Sequence, residues 1–493
     1  MGMEIKRKAI AIAVGVLLLA PFVAQADADK DARFQALEDR MRSLEDRLVT
    51  SEATVQAQRE LLAAQPTPDV AQGSGLDSFL SGLEWGGHIT GSYIYSFNNP
   101  DRNLNSQEHF QFNVDHNSFQ LDAVKLELGK PVGEPGTAGF QLDLLFGENA
   151  SLLSKGLPAN QGRGRGALDQ FLAFVDADAV LDSGRESSLE SFFLQEAYVT
   201  YNHDGIELKF GQFETLLGYE VIDSPYNPHI THSELFFGSI PLFHTGLLAS
   251  GELGEDMNWA VGVVNGFNNS NDFNENKGIL GRIGWTGETT SLTFNTFIGS
   301  EGLRASGAAA CAAAFLPDGS AFSGLAGFDR CFGDNNNRTE IYDLVATMMP
   351  APNIDIWAEV VYGQQELDSD LKTTPTSGGA LGLFGDEDPE WLAVVLGLVY
   401  DMDDKTKVAL RAEYFEDDGN FRLGHGALGS SSEHYSATVT LARQVTQNLM
   451  ARIEYRHDVV DGHEGTSDKV FQASGDLDDQ QDIGILEVSY TFD

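Results

Sequence analysis

The residues of this chain that could do chemistry are charged side chains placed at every second position of apolar segments. Arg411 and Glu413 show this spacing, and so do Arg452, Glu454 and Arg456. In a β-strand such positions share one face, and unpaired charges on a buried face would be very costly. The pattern therefore predicts a water-filled interior where charges act on passing ions. Salt bridges that stiffen the wall are a second role for the same residues, compatible with the first.

The same alternation, applied along the whole chain, extends this inward-facing set beyond those two segments. Its members carry both signs, so the set alone does not fix which ions it would favour. The predicted inward cations are Lys125, Lys209, Arg282, Arg411, Arg452 and Arg456, and the predicted inward acids are Glu127, Glu196, Glu359, Glu413 and Glu454.

Catalytic and metal chemistry find little support in the remaining residues. His229, His232 and His244 lack the spacing of a helical metal site, and the acidic segment 476–482 lacks the glycine and terminal glutamate of an EF-hand. The sequence contains no GxSxG or similar nucleophile motif. We therefore expect no enzymatic activity, no metal and no cofactor, with metal binding in these two loops as a minor alternative.

The elements that must position the charges are predicted to be β-strands. In the last segment Leu486, Val488 and Tyr490 alternate with Glu487 and Ser489, as a strand with two different faces requires. Most segments of this kind have the length of strands that cross a bilayer at a tilt. Sixteen segments alternate in this way: 84–97, 119–130, 138–146, 192–202, 205–213, 242–252, 257–267, 277–287, 290–300, 338–349, 353–365, 390–402, 405–416, 433–444, 447–458 and 481–492.

The connections between these segments alternate in length. Those after even-numbered segments are short, including two-residue turns such as HD, DD and VT, whereas the connection after the third segment spans residues 147–191. Short turns at one rim and long loops at the other are typical of outer-membrane barrels, and a soluble β-sandwich does not predict this asymmetry. We therefore predict an all-β fold over residues 84–493, a transmembrane antiparallel barrel of about 16 strands.

The residues before the barrel divide into three predicted parts. Residues 1–26 combine early bases with a short apolar run and end on Ala-Gln-Ala, which is typical of a cleaved signal peptide. In residues 27–65 apolar side chains recur every seven residues from Phe34 to Leu62, which predicts a parallel coiled-coil helix. A lone amphipathic helix is the alternative. Residues 66–83 are predicted to be a linker, since two prolines stop the helix.

Composition narrows the partners and the compartment. The formal net charge is −43 and no basic patch is present, so nucleic-acid binding is not expected. The two cysteines, Cys311 and Cys331, lie in one stretch rich in small residues, in a chain expected to leave the cytoplasm. We therefore predict a local disulfide between them.

Three motifs near the middle of the chain carry a family resemblance: QEAYVTY at 195–201, KFGQFETLLGYE at 209–220 and PLFHTG at 241–246. They resemble the OmpL-like family of β-barrel porins, with looser similarity to phosphate-selective porins. The resemblance implies a diffusion channel for small hydrophilic solutes or ions in the outer-membrane lipid of a Gram-negative bacterium. It implies no shared catalytic motif. One departure is Asp493, which follows Phe492 where such barrels usually end on an aromatic residue.

The resemblance also implies a role for the third long loop, residues 214–241, which in sixteen-stranded porins often folds inward and narrows the pore. An external loop packed on its neighbours is the alternative. Acidic residues in this loop predict a weak cation preference. The acidic candidates for the constriction are Glu214, Glu220, Asp223 and Glu234.

The predicted assembly follows from the heptads together with the porin resemblance, and it is a homotrimer. A second function from another class stays open beside the porin. In that alternative the coiled-coil stalk anchors a barrel that conducts nothing, and the protein is a structural component of the envelope.

Overall fold

The computed structural model of the chain divides into two units, Met1–Ser81 and Gly82–Asp493. The predicted signal peptide, the coiled-coil helix and both cysteines lie outside the described residues. The structure describes residues 82–100, 112–113, 115–156, 192–272, 276–300, 338–366, 388–419, 422–423, 431–462, 471–473 and 476–492.

The described part of the second unit is built from β-strands with short helices between them. Helix α1 spans Glu148–Gly156 and helix α2 spans Glu234–Gly238. The strands are β1 Glu84–Ser96, β2 Ser118–Lys130, β3 Ala138–Phe146, β4 Phe192–His203, β5 Ile206–Glu214, β6 Phe243–Leu253, β7 Met257–Val264, β8 Gly278–Thr286, β9 Thr290–Ser300, β10 Arg338–Ala351, β11 Ile354–Gln365, β12 Glu390–Asp403, β13 Thr406–Asp418, β14 Ser431–Gln444, β15 Leu449–Gly462, β16 Phe471–Ala473, β17 Asp476–Asp478 and β18 Gln480–Phe492.

Sixteen of these strands form one closed antiparallel barrel. Strands β1 to β15 pair in chain order, and β18 closes the ring by pairing with both β15 and β1. At the seam Ile89 lies opposite Tyr490 and His88 lies opposite Thr491. Strands β16 and β17 form a separate two-stranded sheet. The predicted all-β barrel of sixteen strands is therefore confirmed.

The observed strand bounds lie within about four residues of the predicted ones, because alternation locates a strand well and its ends less well. The largest extension is in β15, which continues to Gly462 instead of ending at residue 458. Its alternation persists because Val460 is buried against Phe471.

The outer face of the barrel is apolar, as a surface in contact with lipid requires. Large side chains such as Phe119, Phe210 and Leu247 are exposed there. Trp285 and Tyr490 lie near the short-turn rim and are also exposed, in keeping with an interfacial aromatic girdle. Within the described residues, we find no helix with the length and apolar character needed to span a membrane.

The inner face is packed more tightly than a polar lumen would be. Trp357 on β11 lies opposite Gly397 on β12, and Trp391 lies opposite Gly363 in the reverse sense. A Cβ on Gly397 would come within 2.0 Å of the Trp357 ring, so only glycine allows the ring to lie flat on the wall. The other face of Trp357 stacks on Tyr219, with ring centroids 4.3 Å apart. Part of the interior is therefore a hydrophobic core shared with the connection between β5 and β6.

Candidate functional site

The candidate site is built around residues 214–241, here called the inward loop, which join β5 to β6 inside the barrel. Near its start the N–H of Gly218 donates to Asp343 on β10 over 2.9 Å, and the N–H of Tyr219 donates to Glu359 on β11 over 3.1 Å. Further on, the Ser224 hydroxyl donates to Glu487 on β18 over 2.7 Å. The loop therefore contacts the wall at several separate points around the barrel.

Wall arginines bind the carbonyl oxygens of the inward loop. Arg452 on β15 donates to the carbonyls of Asn227, His229 and Ser224, over 2.8, 3.1 and 2.9 Å. The same guanidinium donates to Glu487 over 2.9 Å. One arginine thus fixes three carbonyls of the loop between residues 224 and 229, because its planar fork presents several donors at once.

Two further arginines extend this contact along the loop. Arg411 on β13 donates to the carbonyls of Thr231 and His232, over 2.6 and 3.2 Å. Arg456 on β15 donates to the His232 carbonyl over 2.6 Å and to Asp458 over 2.7 Å. These bonds are charge-assisted and lie in a water-excluded place, where such bonds are strong.

Wall carboxylates accept the N–H groups of the same stretch of loop. Glu454 on β15 accepts from the N–H of Ile230 and of Thr231, over 2.5 and 2.9 Å. Glu413 on β13 accepts from the N–H of Glu234 over 2.8 Å. Loop carbonyls therefore face arginines and loop N–H groups face carboxylates, so the extended backbone is satisfied in both directions.

Most of the predicted inward charges consequently lie in a sealed contact. Alternation placed these side chains correctly on the inner face of the barrel. The expectation that they face water is wrong for those that the inward loop covers. Seven of them are at most 8% exposed and contact the inward loop: Lys125, Glu359, Arg411, Glu413, Arg452, Glu454 and Arg456. The sequence predicted two roles for these charges, acting on ions in water and forming salt bridges. In the structure the covered side chains form salt bridges and hydrogen bonds.

Three of the four predicted acidic residues of the inward loop are also paired with cations, and the fourth, Glu214, accepts a hydrogen bond from Gln195 over 2.6 Å. Glu220 contacts Arg411 over 2.8 Å, and Glu234 lies 3.4 Å from His434 and 3.9 Å from Arg456. Asp223 contacts His88 over 3.1 Å and Lys125 over 2.5 Å. The expected cation preference cannot arise from these three acids as free charges, because wall cations compensate them.

Asp223 is the most strongly coupled of these acids. Burial acts to raise the pKa of its carboxyl, but the hydrogen bond from His88 and the charge of Lys125 outweigh burial and hold the pKa below its ordinary range. Asp223 therefore stays ionised, and it ties the loop to β1 and β2.

An acid-rich region lies on the inner face of β2 to β5. The Lys125 ammonium contacts Asp143 over 3.0 Å and Glu127 over 3.2 Å, in addition to Asp223. Nearby, Glu196 accepts from the N–H of Glu214 over 2.9 Å. The Lys125 ammonium thus contacts three carboxylates at once, so the negative charges in this region outnumber the positive charge.

The remaining predicted inward cations are only half-buried. Lys209 on β5 lies 4.1 Å from the centre of the Tyr198 ring. Arg282 on β8 donates to Asn295 over 2.7 Å and to the Leu216 carbonyl of the inward loop. Both side chains therefore remain partly accessible to solvent.

Sequence reasoning missed several residues that hold the inward loop. Asp343, Glu487 and Asp143 obey the same alternation as the predicted set, and that signal could have found them. Arg422 lies beyond β13 and could not be found by alternation. It lies 4.9 Å from the rings of Phe267 and Trp391 and donates to the Gly238 carbonyl at the end of α2.

Metal ligation finds no support in the parts of the chain that the structure covers, where no group of three or more suitable side chains converges. His244 instead hydrogen-bonds Thr215 and the Gly266 carbonyl. His229 bonds Thr440, and His232 bonds the Val221 carbonyl. All three histidines act as packed polar groups in the wall or the loop.

A closed sixteen-stranded barrel with a loop held across its interior defines the architecture of an outer-membrane channel protein. The family model described as "Putative beta-barrel porin-2, OmpL-like" matches residues 82–492. This chain therefore belongs to that porin family, and its barrel lies in the outer membrane of a Gram-negative bacterium.

Solved structures of other outer-membrane proteins align with most of this chain. An anion-selective porin from Comamonas acidovorans aligns with a TM-score of 0.50 and 8% identity, over 83% of this chain and 99% of that chain. The outer membrane channel DcaP of Acinetobacter baumannii aligns with a TM-score of 0.49 and 13% identity, over 83% and 97%. No curated protein matches the sequence. At such identities the likeness concerns the fold alone.

Proposed function

We propose that this protein is a passive diffusion channel for small hydrophilic solutes or ions, in which the inward loop, residues 214–241, forms the constriction. The observation that carries the proposal is the docking of loop backbone on wall charges within a closed barrel, from Gly218 on Asp343 to Glu234 on Glu413. A loop held this firmly narrows the lumen to a fixed size. Family membership and fold favour a channel over an enzyme.

A second candidate is the non-conducting structural protein of the envelope. The observation in its favour is the depth of burial inside the barrel, where Leu217, Ile222, Leu235 and Phe236 of the loop pack into the core with wall residues such as Phe415. If that packing extends across the whole lumen, the loop is a plug instead of a constriction.

Single-channel recording in planar bilayers separates the two candidates. We expect the purified protein to give ohmic steps, and a variant with residues 219–239 replaced by a short glycine-serine bridge to give larger steps. Larger steps follow because removal of the loop widens the lumen. A porin of known conductance, reconstituted in parallel, controls for insertion. A silent wild type beside a conducting deletion variant would support the plug and contradict the channel.

A further inference from the structure

A cavity lies between the inward loop and the short-turn rim of the barrel. Its volume is about 410 Å³, within the range of small-molecule sites. The polar side chains on its lining come from β1 to β3, from the loop and from the turn between β14 and β15. They include Glu84, Glu127, Gln141, Tyr226, Gln447 and Asn448.

The charge of this cavity is negative. Its lining holds the carboxylates of Glu84 and Glu127, and no lysine, arginine or histidine is among the described residues that line it. Glu84 is exposed, and the Glu127 side chain is 27% exposed. Glu127 contacts Lys125, which is 3% exposed and also contacts Asp143 and Asp223, so this ammonium neutralises Glu127 only in part.

Three aromatic residues line this negative space, Trp85, Tyr226 and Phe492, and Tyr226 is the one that the inward loop contributes. Every residue from 215 to 242 is described, and within that stretch Tyr226 alone is exposed, at 55%. The ring belongs to the 3-10 turn Ser224–Tyr226, and its centroid lies 6.1 Å from that of His88 in an edge-on contact. Burial, followed by the charges of Glu127 and Asp223, raises the pKa of the Tyr226 hydroxyl. The ring therefore stays neutral and keeps its electron-rich face.

We propose that this cavity is a binding site for small monovalent organic cations, recognised by the Glu127 carboxylate and the Tyr226 ring. A carboxylate attracts a cation of any shape. An exposed aromatic face adds a preference for weakly hydrated, alkylated ammonium groups over inorganic ions. The site rests on the proposed channel function, because Tyr226, which lines the cavity, belongs to the loop proposed as the constriction.

Bi-ionic reversal potentials test the selectivity, with potassium chloride on one side and tetramethylammonium chloride on the other. We expect Tyr226→Ala to lower the permeability of tetramethylammonium relative to potassium by about threefold to tenfold, which is the range of a cation–π contact. Tyr226→Phe keeps the ring and should keep the wild-type ratio. Glu127→Gln should lower the permeability of both cations relative to chloride.

The matched control is Glu416→Gln, which removes a carboxylate from the outward face of β13, where Glu416 accepts from the Tyr414 hydroxyl. That variant should leave both permeability ratios at the wild-type value. Unchanged ratios in Tyr226→Ala and Glu127→Gln, in channels that conduct, would overturn the site while leaving the channel function intact.

A direct titration keeps the site testable if the protein does not conduct. Tetramethylammonium chloride would be titrated by calorimetry into the purified wild type, Tyr226→Ala and Glu127→Gln, with sodium chloride as the blank. Saturable binding heat in the wild type, with an affinity at least threefold lower in both variants, supports the site. Equal binding heats in all three proteins would refute the site. An absence of conductance in the bilayer experiment counts against the channel function alone.

Discussion

Arg452 shows how the cost of burying a charge on the inner wall is offset by its partners. Its guanidinium is 3% exposed, and it meets Glu487 and three loop carbonyls at once. A buried charge costs several kcal/mol unless its partners replace water. Here the loop backbone supplies part of that replacement, so the wall charge and the loop stabilise each other.

Replacement of this arginine should release the loop. In Arg452→Ala, Glu487 keeps a buried charge without its guanidinium, and we expect docking of the loop to weaken by about 3–5 kcal/mol. Hydrogen exchange of peptides covering residues 222–234, followed by mass spectrometry, measures this loss of protection.

The control for this variant is Arg443→Ala. Arg443 contacts Asp403 over 3.2 Å near the short-turn rim, and both side chains are more than half exposed. Exposed pairs contribute little, so exchange in the loop should stay at the wild-type rate. Equal protection of the loop in wild type and Arg452→Ala would show that the arginine does not hold it.

At the scale of the element, the inward loop carries buried histidines whose protonation opposes docking. Burial lowers the pKa of His229 well below its ordinary value, and Arg411, Arg452 and Arg456 lower it further. Burial also lowers the pKa of His232. Both side chains are therefore neutral in the docked loop.

Acidification should loosen the loop. A released loop would bind protons at the ordinary histidine pKa of about 6.5, so the released form gains protons first as the pH falls. Docking is therefore strongest above about pH 6.5 and weakens below it. Asp223 acts in the same direction at lower pH, because its contribution is present above its ordinary pKa and is lost as the pH falls through its depressed value.

Hydrogen exchange of the loop at pH 7.5 and pH 5.5, corrected for the intrinsic rate, measures this dependence. The double variant His229→Gln, His232→Gln should lose most of it. His203→Gln changes an exposed histidine at the end of β4 and should behave as the wild type. A dependence that survives unchanged in the double variant would assign it to other groups.

The difference between strands and loop explains how much the sequence could predict. Alternation is a local signal, so it located all sixteen barrel strands and the inward side of Arg452 and Glu454. The partners of those side chains are distant in sequence. Ile230 and Glu454, for example, are 224 residues apart. Alternation could not distinguish a charge facing water from one facing a loop, which is why the sequence left both roles open for these side chains.

At the scale of the whole molecule, we propose a homotrimer joined through the predicted coiled coil at 27–65. Leu37→Asp with Leu44→Asp places charge in the apolar seam and should break the trimer, because seam positions tolerate little charge. Light scattering in detergent measures the mass. Gln35→Asp with Arg42→Asp changes the outer face of the same helix and should keep the trimer.

Retention of the trimer in the seam variant would move the assembly contact to the barrel. The conductance of each pore should be unchanged in both variants, since the barrel of residues 84–492 closes on itself through β1 and β18. A fall in conductance per pore would instead couple the stalk to permeation.

The barrel wall holds the inward loop mainly through hydrogen bonds to the main chain of the loop. The carbonyls of Asn227 and Thr231 accept from wall side chains, and the N–H groups of Ile230 and Glu234 donate to them. Every amino acid except proline offers these same groups. A loop side chain that points into open space, as Tyr226 does, can therefore be exchanged without rebuilding its support. In evolution or in engineering, single substitutions in the loop can therefore change which solutes the channel prefers, while the fold of the barrel stays the same.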